Sequence, residues 1–505
     1  MNDLEYNLIH RFNIGDALHR TAARYPTRTA MRYMGNAITY AELDTLTNRM
    51  ARLLEQSGIA RGDAVAILAL NSPRFAAALF ACARLGAALT PVNLMLSPQD
   101  IDYVLAKTRA KLLLIDPILA GKTNTDVQRS ELDAPVDAFD GSPVERFAAS
   151  DDAATIIFTS GTTARPKGVV NTHLNWYAAI IAALADGKVH RDQVPLLALP
   201  MFHVAGLYLL FSSVVVGAQA VVVPSIRVDW ILDAIAREHV DTMSLPATTW
   251  VALLETPGIE HVDLSRLKRL AVFQYLPTPA FERWRKLTPQ AEWMNYWGQT
   301  ETTPLGSSTP PEDLGRKLRD GPDPIGIPHL PLEVRIVDDA MNDVQQGSVG
   351  EFVARGPSVT PGYFEDPQAN EALCRGGWHH TGDMGYRDEE GFLYFTDRKK
   401  DMIKSGGENV SSQEVEEAVA IHPAVAEVAV IGLPDPYWIE RVVAAVVLKA
   451  GTKATEEELM AHARGRLAGF KTPKQIVILD EFPKNPTGKV LKRVLREQLS
   501  GAAAV

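Results

Sequence analysis

The chain has 505 residues, of which 46% are hydrophobic and 22% charged, and its formal net charge is −10. The length exceeds one ordinary core and predicts two or three domains, while the composition excludes a disordered chain. The acidic balance argues against a nonspecific grip on nucleic acid or anionic membrane.

In chain order, the start carries acidic residues and lacks the basic and apolar regions of a signal peptide. Helical periodicity covers residues 14–25 and 40–58. A buried strand is predicted at 63–70, a helix at 72–86, and short strands at 88–92 and 112–115. Cys82 falls in this region, and Cys374 is the only other cysteine. Two cysteines do not make a disulfide framework and suit a reducing compartment.

The strand rhythm recurs at 194–199, 218–223, 242–245 and 270–273, which implies βαβ units and a parallel sheet. Residues 207–224 form the most apolar stretch, interrupted by Tyr208, Ser212, Ser213, Gly217 and Gln219. It is too short and polar to cross a bilayer, and buried strands account for it. The expectation is a soluble, cytoplasmic protein.

Beyond about residue 330 the pattern changes. Residues 332–337, 350–354 and 391–396 alternate like antiparallel strands. A charged cluster at 397–401 precedes a compact α+β pattern: helix 413–420, strands 425–431 and 442–448, helix 455–467 and strand 475–479. The domain boundary is placed near Lys400.

Five segments carry the chemistry. In the first, an apolar run feeds Thr159, Ser160, Gly161, Thr162, Thr163 and, after three residues, Lys167. Hydroxyls, backbone N–H groups and one ammonium in a single loop suit phosphate oxygens. It is not a Walker loop, because Gly168 and Val169 follow the lysine. A polar connection from strand to helix is the bland alternative.

The second segment runs through Asn295, Tyr296, Trp297, Thr300 and Glu301. It offers a carboxylate for Mg²⁺, a hydroxyl for phosphate and aromatic faces for a base. A core aromatic pair beside a surface acid is its alternative. In the third, His379 and His380 are adjacent, so on a strand they face opposite ways and cannot share a metal. Asp383 follows a glycine and could accept from a ribose diol, or simply sit in a turn. The fourth, residues 404–410, reads as a flexible loop. The fifth, residues 483–489, is a Pro/Gly loop ending in Lys489.

In this order and spacing the five segments resemble the ANL superfamily of adenylate-forming enzymes. Residues 200–206 (PMFHVAG) and 405–410 (SGGENV) look most like its fatty-acyl and aryl acyl-CoA synthetases, the AMP-forming acid–CoA ligases. The likeness runs from about residue 40 to 493. It implies an α/β fold. A large N-terminal domain of βαβ sheets plus a distorted β-barrel (1–399) would be followed by a small mobile C-terminal α+β domain (400–505).

ATP, Mg²⁺ and coenzyme A are the cofactors and co-substrates the resemblance implies, with a small, medium-chain or aromatic acid as substrate. The loop from Thr159 to Gly168 would close over the triphosphate. Trp297 would pack on adenine, Thr300 contact the α-phosphate and Glu301 hold Mg²⁺. Asp383 and Arg398 would take the ribose. Lys489 matches the lysine that bridges acid and α-phosphate, Lys400 the hinge, and Gly407 the loop brought to the thiol. His203, Gln274, Tyr275, Leu276 and Tyr296 would line the acid pocket. A homodimer is expected on the same grounds.

Three departures bear on substrate and acceptor. Gln274 and Tyr275 stand where the family usually has two glycines, which predicts a shortened or reshaped pocket. Ala164 replaces a common glycine in the phosphate loop. Ile439 stands where the family often has glycine before Glu440, near the thiol side by analogy. Tyr275 and Ile439 keep a second reading open: adenylation with an amine or carrier-protein acceptor, or of an oxyacid such as nitrite.

Overall fold

The computed structural model describes every residue except 160–164, 274–275, 277, 315–323, 407, 485–489 and 502–505. The chain forms two compact units. The large one comprises Met1–Val334, Ala354–His380 and Gly391–Leu393, and the small one Arg335–Val353, Thr381–Glu390 and Tyr394–Val505. The fold is mixed α/β.

The large unit holds two extended sheets. In the first, strands lie in the order Gly362–Tyr363, Lys167–Thr172, Ala153–Thr159, Ala88–Pro91, Ala64–Leu68, Leu112–Ile115 and Gln128–Glu131. Its centre is parallel and wholly buried, as continuous apolar runs require. Helix Pro73–Leu85 is apolar on every side and almost entirely buried. Ser72 caps its start by accepting from the N–H of Phe75, proline opens its first turn, and Gly86 ends it at φ 69°. Helix Tyr40–Gln56 starts on a capping box between Thr39 and Glu42.

The second sheet runs Ile327–Pro328, Ser307–Thr309, Glu292–Trp297, Arg269–Phe273, Thr242–Pro246, Pro195–Leu197, Ala220–Val222, Thr29–Tyr33 and Asn36–Thr39. Strands 220–222, 195–197, 242–246, 269–273 and 292–297 are parallel neighbours. Leu197, Ala220 and Val222 pack with helix Val204–Val216 on one face. Leu196 and Val221 pack with helices Val228–Glu238, Ala247–Leu254 and Thr278–Leu287 on the other.

The sheet is therefore doubly wound. The chain leaves Pro195–Leu197 toward one neighbour and returns on its opposite side, so the strand order reverses there. Ligands of open α/β sheets bind outside the carboxyl ends of the strands at such a reversal.

Two expectations are corrected. The apolar stretch at 207–224 is not a pair of buried strands. Helix Val204–Val216 takes up most of it, and only Ala220–Val222 is a strand. The helix is buried on nearly all sides, so its sequence shows no polar stripe from which a period of 3.6 could be read. Residues 404–410 are not simply a flexible loop. Ile403–Ser405 and Glu408–Val410 pair as short antiparallel strands.

In the small unit, Val425–Asp435 and Ile439–Leu448 form a long antiparallel hairpin, and Gln475–Ile478 joins it in parallel. Apolar side chains alternate to two cores. One contains Val430, Val442 and Ala444, the other Ala429, Ile431, Val443 and Leu495 of the terminal helix. Lys492 pairs with Glu416 at 2.7 Å and Arg496 with Asp401 at 2.9 Å, which anchors that helix. Among the described residues, no helix is long and apolar enough to cross a membrane.

Candidate active site

Strand Ala153–Thr159 ends at Thr159, which pairs across the sheet with Lys167 at the start of Lys167–Thr172. The phosphate-loop candidate thus joins two antiparallel strands rather than a strand and a helix. Ser160, Gly161, Thr162 and Thr163 lie outside the described residues.

Asn171, on the return strand, donates from Nδ2 to the carbonyl of Thr300 at 3.0 Å and to Oγ1 of Thr303 at 2.8 Å. Thr300 and Glu301 sit in the one-turn helix Thr300–Thr302, directly after strand Glu292–Trp297. Tyr363 donates its hydroxyl hydrogen to Oε1 of Glu301 at 2.9 Å, and Lys167 Nζ lies 4.9 Å from the centre of the Tyr363 ring. Burial, then the charge of Glu301, push the Tyr363 phenol well above its ordinary pKa, so it stays a donor. Lys167, Thr300 and Glu301 are therefore held together by Asn171 and Tyr363, neither of which the sequence reading singled out.

The donor chemistry fits a hard cation beside phosphate. Glu301 offers a carboxylate oxygen whose orientation Tyr363 fixes. Among the described residues no group of three or more His, Cys, Asp or Glu side chains could hold a metal by itself. Mg²⁺ characteristically takes one or two carboxylates and completes its shell with substrate phosphates.

Trp297 is buried, and its six-membered ring lies directly against Gly306, leaving no room there for a Cβ. Tyr296 points to the opposite face of the strand. Its ring lies 5.9 Å from Phe273 and stacks at 6.3 Å on His329. His203 caps helix Val204–Val216, its Nδ1 accepting from the N–H of Ala205 at 3.3 Å.

His203, Phe273 and Tyr296 all stand at the carboxyl ends of the parallel strands. His203 is solvent-accessible, yet surrounding protein holds its pKa below the ordinary value. Tyr296 is half-buried, yet burial pushes its phenol up to about 12. Leu276 is buried in the adjacent core, and Gln274 and Tyr275 lie outside the described residues.

In the small unit, Asp383 lies on strand Trp378–Arg387, not in a turn, and is 1% exposed. Arg398 Nε faces its Oδ1 at 2.6 Å, so the two acceptor–donor residues expected for a ribose are already paired. His379 is buried and His380 half-buried, on opposite faces as the alternation required. Lys400 is exposed in the turn between Leu393–Arg398 and Ile403–Ser405. Ile439 adopts φ 69° and is 64% exposed, so the left-handed backbone persists although glycine is absent. Gly407 and Lys489 lie outside the described residues.

The family model described as AMP-binding enzyme matches residues 18–364, and that of the AMP-binding enzyme C-terminal domain matches 414–489. The chain belongs to the AMP-binding enzyme family, within the ANL superfamily of adenylate-forming enzymes.

It is 34% identical over 487 residues to a feruloyl-CoA synthase of Amycolatopsis sp, covering 95% of this chain and 97% of that one. It is 34% identical over 506 residues to an indoleacetate–CoA ligase of Aromatoleum aromaticum, covering 96% and 98%. Among solved structures, it resembles o-succinylbenzoate-CoA synthetase from Bacillus subtilis with ATP and magnesium ion. That match has 31% identity, a TM-score of 0.86, and coverage of 95% and 99%.

Proposed function

We propose that this protein is an ATP-dependent, AMP-forming acid–CoA ligase acting on an aromatic carboxylic acid. The observation that carries the reading is the cluster in which Tyr363 holds the Glu301 carboxylate beside Lys167, at the end of the strand that presents Tyr296 and Trp297. The aromatic acids in the relatives' names, ferulate and indoleacetate, support the substrate class. The accessible rings of His203, Phe273 and Tyr296 suit a flat apolar acid.

A carboxylate is a poor electrophile, because its leaving group would be oxide. In the proposed first step a carboxylate oxygen attacks the α-phosphorus of ATP and pyrophosphate departs, giving a mixed anhydride. Two anions must meet, so cationic and donor groups lower the barrier. Mg²⁺, when bound, neutralises phosphate charge. Lys167 and Thr300 would contact phosphate oxygens, Glu301 would hold the cation, and Trp297 would pack on the base. Asp383 would accept from the ribose hydroxyls while Arg398 pairs with it. Lys489 would bridge acid and α-phosphate. In the second step the thiolate of coenzyme A attacks the acyl carbon and AMP leaves.

Residues 1–399 and 400–505 would act as the two functional domains, with Lys400 as hinge and Gly407 beside the thiol. The cytoplasm is the compartment that supplies these substrates. A homodimer is part of the proposal, and sedimentation at catalytic concentrations reads it.

Pyrophosphate release is measured with Mg·ATP over a panel of aromatic, medium-chain and short acids and nitrite, with and without coenzyme A. The proposal expects one class of aromatic acid to turn over, with thioester formed only when coenzyme A is present. Turnover with nitrite alone, or with an amine as the only productive acceptor, would replace the ligase reading.

A further inference from the structure

Stacked on Tyr296 is a histidine that the proposed chemistry does not use. His329 follows Ile327–Pro328, the edge strand of the nine-stranded sheet, and its side chain is 1% exposed. Its ring is nearly parallel to that of Tyr296, at 23° and 6.3 Å between centroids. Its backbone N–H donates to the carbonyl of Gly306, the glycine under Trp297, at 3.1 Å. One residue thus touches the supports of both aromatics, the one facing the acid side and the one facing the nucleotide side.

The two ring nitrogens have different fates. Nδ1 lies 2.9 Å from Oδ2 of Asp186, which also accepts from the N–H of Leu330 at 2.9 Å. These bonds keep Asp186 ionised against the cost of its burial. A carboxylate at this position fixes the ring proton on Nδ1, leaving Nε2 as a bare acceptor in the neutral ring. That Nε2 is buried and has no hydrogen-bond partner. A buried polar atom without a partner is costly and rare, and it calls for a missing donor.

Resting on the ligase reading above, we infer that His329 determines specificity: positioned by Asp186 and stacked on Tyr296, it accepts a hydrogen bond from a hydroxyl on the ring of the aromatic acid. The substrate class is then a hydroxyaryl carboxylic acid. The acid's ring lies along Tyr296 and Phe273, and its phenol answers Nε2. A site built around a buried acceptor disfavours the analogue that lacks the donor, because the acceptor is then buried for nothing.

The probes are 4-hydroxycinnamate and cinnamate, compared by kcat/KM for pyrophosphate release in the wild type, H329L, H329Q and D186N. The wild type is expected to favour the hydroxylated acid by about tenfold or more. H329L should abolish that preference by raising KM for 4-hydroxycinnamate, leave cinnamate within about twofold, and leave the KM for ATP unchanged. H329Q, which retains an amide acceptor, should restore part of the preference, and D186N should weaken it.

Equal losses on both acids, or equal wild-type rates with both, would overturn the assignment while sparing the ligase reading. Absence of pyrophosphate release with every acid in the wild type would remove the ligase reading and His329's role with it. Melting temperatures of the variants separate a folding defect from a change in preference, because only the latter alters the ratio between the two acids.

Discussion

The hydroxyl of Tyr363 donates to Oε1 of Glu301 across 2.9 Å, joining residues 62 positions apart in the chain. Lys167 sits over the same phenol ring. One aromatic therefore orients the carboxylate proposed to hold the cation and carries a positive charge on its face. Y363F removes the donor and keeps the ring. The apparent affinity for Mg·ATP should fall by about tenfold in pyrophosphate release, as outer-shell partners of metal ligands typically contribute. The KM for coenzyme A should not move. An unchanged magnesium titration would show that Glu301 does not depend on this bond.

Gly306 leaves space that the Trp297 ring fills completely. G306A places a methyl group inside that ring, so the indole must shift or the strand must yield. The KM for ATP should rise by about tenfold or more, with a change in tryptophan fluorescence on nucleotide addition. Normal ATP kinetics in a folded G306A protein would remove Trp297 from the nucleotide site.

Asp383 is buried against Arg398, and the pair lies within the small unit. D383N weakens a charge-assisted contact and leaves the guanidinium facing an amide, which should cost roughly 1–3 kcal/mol of stability. Half of the Arg398 surface or more is out of solvent, so the cost stays well below that of a fully buried pair. Nucleotide binding by calorimetry should weaken as well. A variant with lower melting temperature but unaltered ATP affinity would make the pair structural only.

The pH dependence of stability has a defined sign at His173. Burial lowers its imidazole from 6.5 to about 4, at the start of a helix and beside Asn13. Below pH 6.5 the unfolded chain takes up a proton that the folded chain refuses. This contribution is therefore complete above about 6.5 and is lost as the pH falls toward 4, amounting to about 3 kcal/mol. Urea midpoints at pH 7.5 and 4.5 read it, and H173N should flatten the slope. An equal slope in wild type and variant would assign the loss to other groups.

Much of this architecture is legible in the sequence because its signals are local. Thr39 and Glu42 announce the helix Tyr40–Gln56, and Ser72, Pro73 and Gly86 bracket Pro73–Leu85. The run at Leu112–Ile115 is a strand as its composition predicts. The helix Val204–Val216 was hidden because burial on all sides erases the amphipathic period.

At the site, Glu301, Thr300 and Lys167 stand out by spacing within motifs. Asn171, Tyr363 and the His329–Asp186 pair do not. Their partners lie 129, 62 and 143 residues away, and only tertiary packing between separate elements brings them together. A lone tyrosine or asparagine in a strand carries no local mark of such a role.

The proposed chemistry has a fixed order of bond making: acid to α-phosphate first, thiol to acyl carbon second. Mass spectrometry of a single turnover with a hydroxyaryl acid and Mg·ATP, before and after addition of coenzyme A, tests it most directly. The expected products are acyl-AMP and pyrophosphate in the first phase, then thioester and AMP from that same acyl-AMP. Release of ADP and phosphate, or thioester formed with no adenylate preceding it, would contradict it.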